Sequence, residues 1–270
     1  MITYRIHLLA LLIPLLCVST WAGDAPTAQL PAVLAKRTPI PTAHTTQNIE
    51  GWTIRVDDRL LKGDGAEIGK QALKLLNARL VAITIIVPEK QLAGLRSICI
   101  ELDLDYAGLN PMQYHPSAGW LKSKGYSEAL AKCVHIPEAA DFLSPFENRR
   151  MPWVILHELT HAYHDQILSF EEPRIIAAWK KFKDSGKYTS VVTSMGGMRE
   201  HYGLTNEKEF FAEMTEAFLG SNDFYPFVAG ELKQAEPEIY ALMAEIWGHS
   251  PDRAKEKAAA KANQPTQPTK

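Results

Sequence analysis

Two histidines four residues apart, His157 and His161, with Glu158 directly after the first, form the pattern H-E-x-x-H. If the segment is helical, side chains step round by about 100° per residue, so the two imidazoles project within about 40° of each other, one turn apart. Both rings then reach one cation. Glu158 points about 100° away, where it can take a proton from a water that the cation activates. Imidazole donors in tetrahedral geometry favour Zn²⁺, and two histidines with one carboxylate and an open fourth position describe a catalytic zinc site. Chance supplies such a pattern about 0.03 times in a chain with 9 His and 31 Asp+Glu among 270 residues.

The flanking residues predict a buried helix over 152–169. Pro152 suits its first position, and Trp153, Val154, Ile155, Leu159, Ala162, Ile167 and Leu168 spread apolar side chains nearly all round it. Such a helix cannot leave two imidazoles and a carboxylate unpaired without cost, and a metal with its water would satisfy all three. The metzincin class is excluded, because the third and sixth positions after His161 hold His164 and Ile167 rather than Gly and His. A carboxylate from a second helix is the remaining type of third ligand. The run Tyr202-Gly-Leu-Thr-Asn-Glu-Lys-Glu-Phe-Phe-Ala-Glu213 opens a predicted helix over 205–219 that supplies candidates. Thr205 or Asn206 can cap it, and Glu209, Glu213 and Glu216 stack along one stripe beside Phe210, Phe211, Met214, Ala217 and Phe218. Three like charges stacked in this way call for a positive group nearby.

These two stretches resemble the catalytic domain of the anthrax lethal factor family of gluzincins, which includes the Pro-Pro endopeptidases. The likeness in pattern covers roughly residues 95–220, and its specific part is His157–His161 and Tyr202–Glu213. It implies a zincin-like fold, one zinc ion per chain held by His157, His161 and Glu209, Glu158 as general base, and Tyr202 hydrogen-bonded to the oxyanion or the metal's water. Substrate preference does not carry over. Glu213, one turn after Glu209, is a candidate acceptor for a ligand histidine's N–H, or else an ordinary exposed acid. Glu207 and Glu216 are assigned to solvent. His164 shares the face of His157 and is read as supporting the site or facing substrate, not as a ligand. His201 is read as a solvated loop residue, and His115 and His135 as structural histidines.

The elements that must position these residues read as α+β with a small, mostly antiparallel sheet. Strands are predicted at Trp52–Val56 and at the alternating Ile98, Ile100, Leu102 and Leu104, and helices at 66–86, 126–132, 171–184 and 236–247. Ile83–Val87 is either the end of its helix or a strand. After a turn at Asn110-Pro111, Met112–His115 stops at Pro116 and fits an edge strand, which would suit an extended peptide laid alongside it. The loop 185–203, with Gly186, Gly196 and Gly197, is either a cover for the cleft or a plain connection.

Composition sets the frame: 29 Lys+Arg against 31 Asp+Glu, 46% apolar and 22% charged. That balance describes an ordinary globular protein and gives no electrostatic reason for a nucleic-acid partner. Arg5 and His7, the apolar run 8–18 and the small residues Ser19, Thr20, Ala22 and Gly23 predict a signal peptide over 1–22, hence a secreted or periplasmic protein without stable membrane association after cleavage; an uncleaved anchor is the other reading. A Pro-rich linker over 23–48, a catalytic domain over 49–249 and a disordered tail over 250–270 complete the expected organisation. Without residues 1–22 the chain keeps Cys99 and Cys133, either one disulfide or two small buried hydrophobes. The expectation is an exported zinc metallopeptidase acting on peptide or protein substrates. Its rivals are a zinc hydrolase of a non-peptide amide, such as one in a cell wall, and a retired zincin that only binds; intact Glu158 and Tyr202 speak against the last.

Overall fold

The computed structural model describes residues 40–249 apart from 107 and 110. The predicted signal segment, most of the predicted linker and the tail 250–270 lie outside those residues, as does Asn110 of the predicted turn.

β1 (His44–Ile49) and β2 (Trp52–Asp57) form an antiparallel hairpin. Glu50 and Gly51 make its turn at φ 52° and 94°, and a side chain at Gly51 would come within 2.7 Å of Arg96 Nε, so both conformation and space demand glycine. All of β1 but Ile49 falls inside the expected linker, and the folded region therefore begins before residue 49. Only Ile49 in this strand is a large apolar residue, so no hydrophobic alternation announced it.

α1 (Ala66–Ile86) and α2 (Glu89–Arg96) then carry the chain to β3 (Cys99–Leu102), which runs parallel to β2. The β-branched residues at the end of α1 stay helical. β4 (Gln113–Tyr114) and α3 (Ala118–Ser123) precede β5 (Cys133–Ile136), which pairs parallel with β3 and antiparallel with β4. The sheet order is β1-β2-β3-β5-β4. The sheet is thus mixed, with a parallel centre and antiparallel flanks, and not mostly antiparallel. Two facts explain the difference: α1 and α2 are a crossover between neighbouring strands, and β5 is buried at all four positions, so it shows no alternation. The predicted helix over 126–132 is only a 3₁₀ turn at Glu128–Leu130.

The second half is helical: α4 (Ala139–Phe142), α5 (Pro145–Arg150), α6 (Val154–Tyr163) and α7 (Pro173–Asp184), the small hairpin β6 (Val191–Val192) with β7 (Met198–Arg199), then α8 (Glu207–Leu219), α9 (Ala229–Ala235) and α10 (Pro237–Ile246). The fold is α+β, with ten α-helices and this small mixed sheet among the described residues. None of these helices is long and apolar enough to cross a membrane.

One sheet face carries Ile54, Val56, Ile100, Leu102, Val134 and Ile136, in one core with Leu76, Leu80 and Ile83 of α1 and Ile155, Leu156 and Leu159 of α6. This core seats the H-E-x-x-H helix. The opposite face is polar and lies under a smaller cluster of Tyr106, Leu109, Leu121 and Leu130. There His44 and His135 each bond one oxygen of Asp103, at 2.7 and 2.8 Å, and His115 Nε2 lies 3.2 Å from His135 Nδ1. His115 and His135 are therefore structural.

Burial, with His135 beside it, lowers the pKa of His115 to about 4. The unfolded chain then binds more protons than the folded one between that value and the ordinary histidine range. The stability from this group is fully present above about pH 6.5 and is lost as pH falls toward 4, by about 3 kcal/mol at most. Urea unfolding at pH 7 and pH 4.5 should show the loss, with a smaller loss in His115→Asn.

Candidate metal centre

α6 begins at Val154 with Trp153 as its cap, two residues later than the predicted start at Pro152, because α5 runs to Arg150 and Met151 leaves the helical conformation at φ −128° and ψ 74°. α8 is capped by Asn206, whose side-chain oxygen accepts the N–H groups of Lys208 and Glu209 at 2.9 and 3.0 Å. That cap fixes the first turn and with it Glu209. α6 and α8 bring His157, His161 and Glu209 together; the spacing of the two histidines implied the first two, and the family resemblance implied Glu209.

Nε2 of His157 and Nε2 of His161 each lie 3.2 Å from the same Glu209 oxygen, Oε2. A tetrahedral ion with bonds of about 2.0–2.2 Å needs its ligands roughly 3.3–3.5 Å apart, close to what is found. His157 Nδ1 lies 2.6 Å from Glu216 Oε1; with Nδ1 as donor to that oxygen, a neutral ring would present its Nε2 lone pair on the Glu209 side. A cation is the natural occupant of such a point. Without one, burial opposes charge on His157, but the contacts to Glu209 and Glu216 prevail and raise its pKa. Burial likewise works to raise the Glu209 pKa, and its bonds to the two histidines outweigh this and hold the carboxyl well below the usual range.

Two further groups, His44 with Glu101 and Asp103, and His157 with Glu213 and Glu216, also meet the distances for holding an ion. In the first, Arg55 already pairs with Glu101. The second uses the Nδ1 side of His157, which Glu216 occupies.

Glu158 is buried, and its Oε2 accepts the backbone N–H of Tyr114 at 2.8 Å. That bond leaves the other oxygen to carry a proton. Burial raises its pKa, against the pull of His161 and His157. β4 is one of the sheet's two edge strands, as expected, and is anchored to the turn that continues α6: Tyr114 Oη donates to Asp165 at 2.6 Å, and Lys132 pairs with the same carboxylate. Tyr202 sits in a 3₁₀ turn ahead of α8 with 47% of its surface exposed. Burial of the remainder, then the charge of Glu209, raises its phenol pKa.

Four expectations need correction. Glu216 is not solvated: α8 is buried at every position from Phe210 to Leu219, and Glu216 lies within about 20° of Glu209 two turns on, so it takes the His157 N–H. Glu213 does not. Its Oε1 is 3.8 Å from His157 Nδ1, and burial and then Glu216 push its carboxyl well above the usual range. His164 shares the azimuth of His157 but lies about 10 Å further along the helix, where a π-helical turn begins. There it is fully buried, edge-on to Phe170 and Phe211 at 5.1 Å each, and burial lowers its pKa to about 4. His201 is buried as well; its Nδ1 accepts the Gly203 N–H at 3.0 Å, which braces the Tyr202 turn.

Residues missed from the sequence are Glu216, Tyr114, Asp165 and Asp223, whose pKa rises to about 6 through burial and the nearby Glu216. The 20° separation of Glu209 and Glu216 was a usable signal; the others depend on tertiary contacts alone. The loop 185–203 holds the β6–β7 hairpin, fastened to the 223–225 segment by Ser194 N to Asp223 O at 2.8 Å and Tyr225 N to Val192 O at 3.1 Å.

With zinc held at this centre, Glu216→Ala should weaken its binding by about 10–100-fold, the usual effect of losing a carboxylate that orients a ligand imidazole. Glu213→Gln should leave it unchanged, and competition with a chromophoric chelator measures both.

No family model, curated protein or solved structure matches the chain.

Proposed function

We propose that the chain is an exported zinc metallopeptidase of the gluzincin kind, with a zincin-like catalytic domain similar to that of the lethal factor family. The observation that carries this reading is the convergence of two imidazole nitrogens and one carboxylate oxygen beside a buried, tethered Glu158. His157, His161 and Glu209 would hold the ion. Bound there, zinc supplies Lewis acidity that polarises the scissile carbonyl and acidifies water. Glu158 takes the proton of the attacking water and returns it to the leaving nitrogen. Tyr202 donates its hydroxyl to the oxyanion, and its raised pKa keeps that donor protonated.

A peptide substrate is favoured by the edge strand. His115 makes both of its backbone bonds to the 132–133 segment, so the N–H and C=O of Tyr114 turn away from β5, and the N–H reaches Glu158. A peptide laid along this edge passes directly beside the general base.

Digestion of a broad peptide library, read by mass spectrometry, tests the reading. Cleavage should stop with a chelator and return with one equivalent of zinc. A zinc-loaded protein that leaves every peptide intact would overturn the peptidase assignment while leaving the metal centre standing.

A further inference from the structure

The polar face of the sheet, away from the metal centre, holds a second pair of reactive groups. Cys99 on β3 and Cys133 on β5 are direct partners in the parallel register, so their side chains leave the sheet on the same face. Neighbouring strands lie about 4.8 Å apart, inside the roughly 4.4–6.8 Å range of Cα separations that a disulfide bridges. Both thiols are free in the structure. The two differ in access: Cys99 is partly exposed, whereas Cys133 is buried.

Their surroundings are not those of two apolar fillers. Arg55 and Glu101 pair on the same face, with Glu101 two residues along the strand from Cys99. The thiol of Cys133 beside it, and then the charge of Arg55, lower the Cys99 pKa against the effect of burial; the same pairing raises that of Cys133. A partly exposed thiol with a lowered pKa, paired in register with a buried one whose pKa is raised, is the asymmetry of an attacking and a resolving cysteine.

We propose that Cys99 and Cys133 form a thiol–disulfide exchange site that reacts with small or exposed disulfides and closes as an internal bond between β3 and β5. Cys99, as the thiolate, attacks one sulfur of the external disulfide, whose S–S bond breaks and releases one thiolate. Cys133 then gives its proton to that thiolate and attacks the Cys99 sulfur, which forms the internal S–S bond and expels the second half of the reagent as a thiol after protonation. Two electrons pass from the cysteine pair to the external disulfide, which leaves as two thiols.

Oxidised glutathione is the probe, applied to the folded full-length chain carrying Cys17→Ser so that only these two thiols are read. After acid quench, denaturation and alkylation, intact mass should show a chain lighter by two hydrogens, with no glutathione and no alkyl group, and peptide mapping should join the two cysteines. Cys133→Ser should stop at a single glutathione adduct on Cys99. Cys99→Ser should resist the reagent until unfolded. Two alkylated thiols after native exposure, two adducts in place of an internal bond, or equal reactivity of the two single variants would each overturn the proposal. Neither zinc nor peptide cleavage enters these readouts.

Discussion

Glu158→Gln should lower peptide turnover by about 10²–10⁴-fold, the range of a lost general base, while zinc content stays at the wild-type level. Glutamine keeps the length of the side chain, and its carbonyl oxygen can still accept the Tyr114 N–H that Glu158 accepts at 2.8 Å. It cannot take a proton. At about 1.4 kcal/mol per factor of ten, the barrier rises by roughly 3–5 kcal/mol. Metal binding should be spared, because the three converging atoms belong to His157, His161 and Glu209 alone. Folding should be spared too, since burial already disfavours the charged carboxylate that the substitution removes. Single-turnover cleavage of the best library peptide, with zinc measured on the same sample, checks both halves. Undiminished turnover would remove Glu158 from the mechanism.

Glu209→Ala should abolish stoichiometric zinc. Glu209 Oε2 is the atom both ligand imidazoles face, at 3.2 Å from each. Its loss leaves two imidazoles on one helix and no charged ligand atom among the donors, so affinity should fall well beyond the ~100-fold upper range for a carboxylate acting through a ligand. A consequence in stability follows. At free zinc 100 times the dissociation constant, the wild type should gain about 2.7 kcal/mol, whereas Glu209→Ala should gain none. Thermal unfolding with and without zinc reads the difference.

Much of the candidate metal centre is legible from local spacing. His157 and His161 are fixed by one helical turn, and the Asn206 cap and first turn of α8 are local too. What escaped was tertiary. Glu216 looked like a surface acid because stripe geometry does not say how deeply a helix is buried, and α8 is buried on every side past Phe210. His164 shares the azimuth of His157, but the rise along the axis separates the two. The sheet shows the same division. Trp52–Val56 and the residues around Ile100 announced strands by alternation, but strand direction is a property of the crossover and not of the strand. β5 has no exposed face to alternate, and β1 has almost no apolar residue.

The most direct test of the proposed centre is the zinc content of freshly purified protein, by elemental mass spectrometry against protein concentration from amino-acid analysis. About one zinc per chain in the wild type is the result that His157, His161 and Glu209 require. Protein isolated without chelators and folded by circular dichroism, yet lacking stoichiometric zinc even after dialysis against it, would contradict the metal centre and the chemistry built on it.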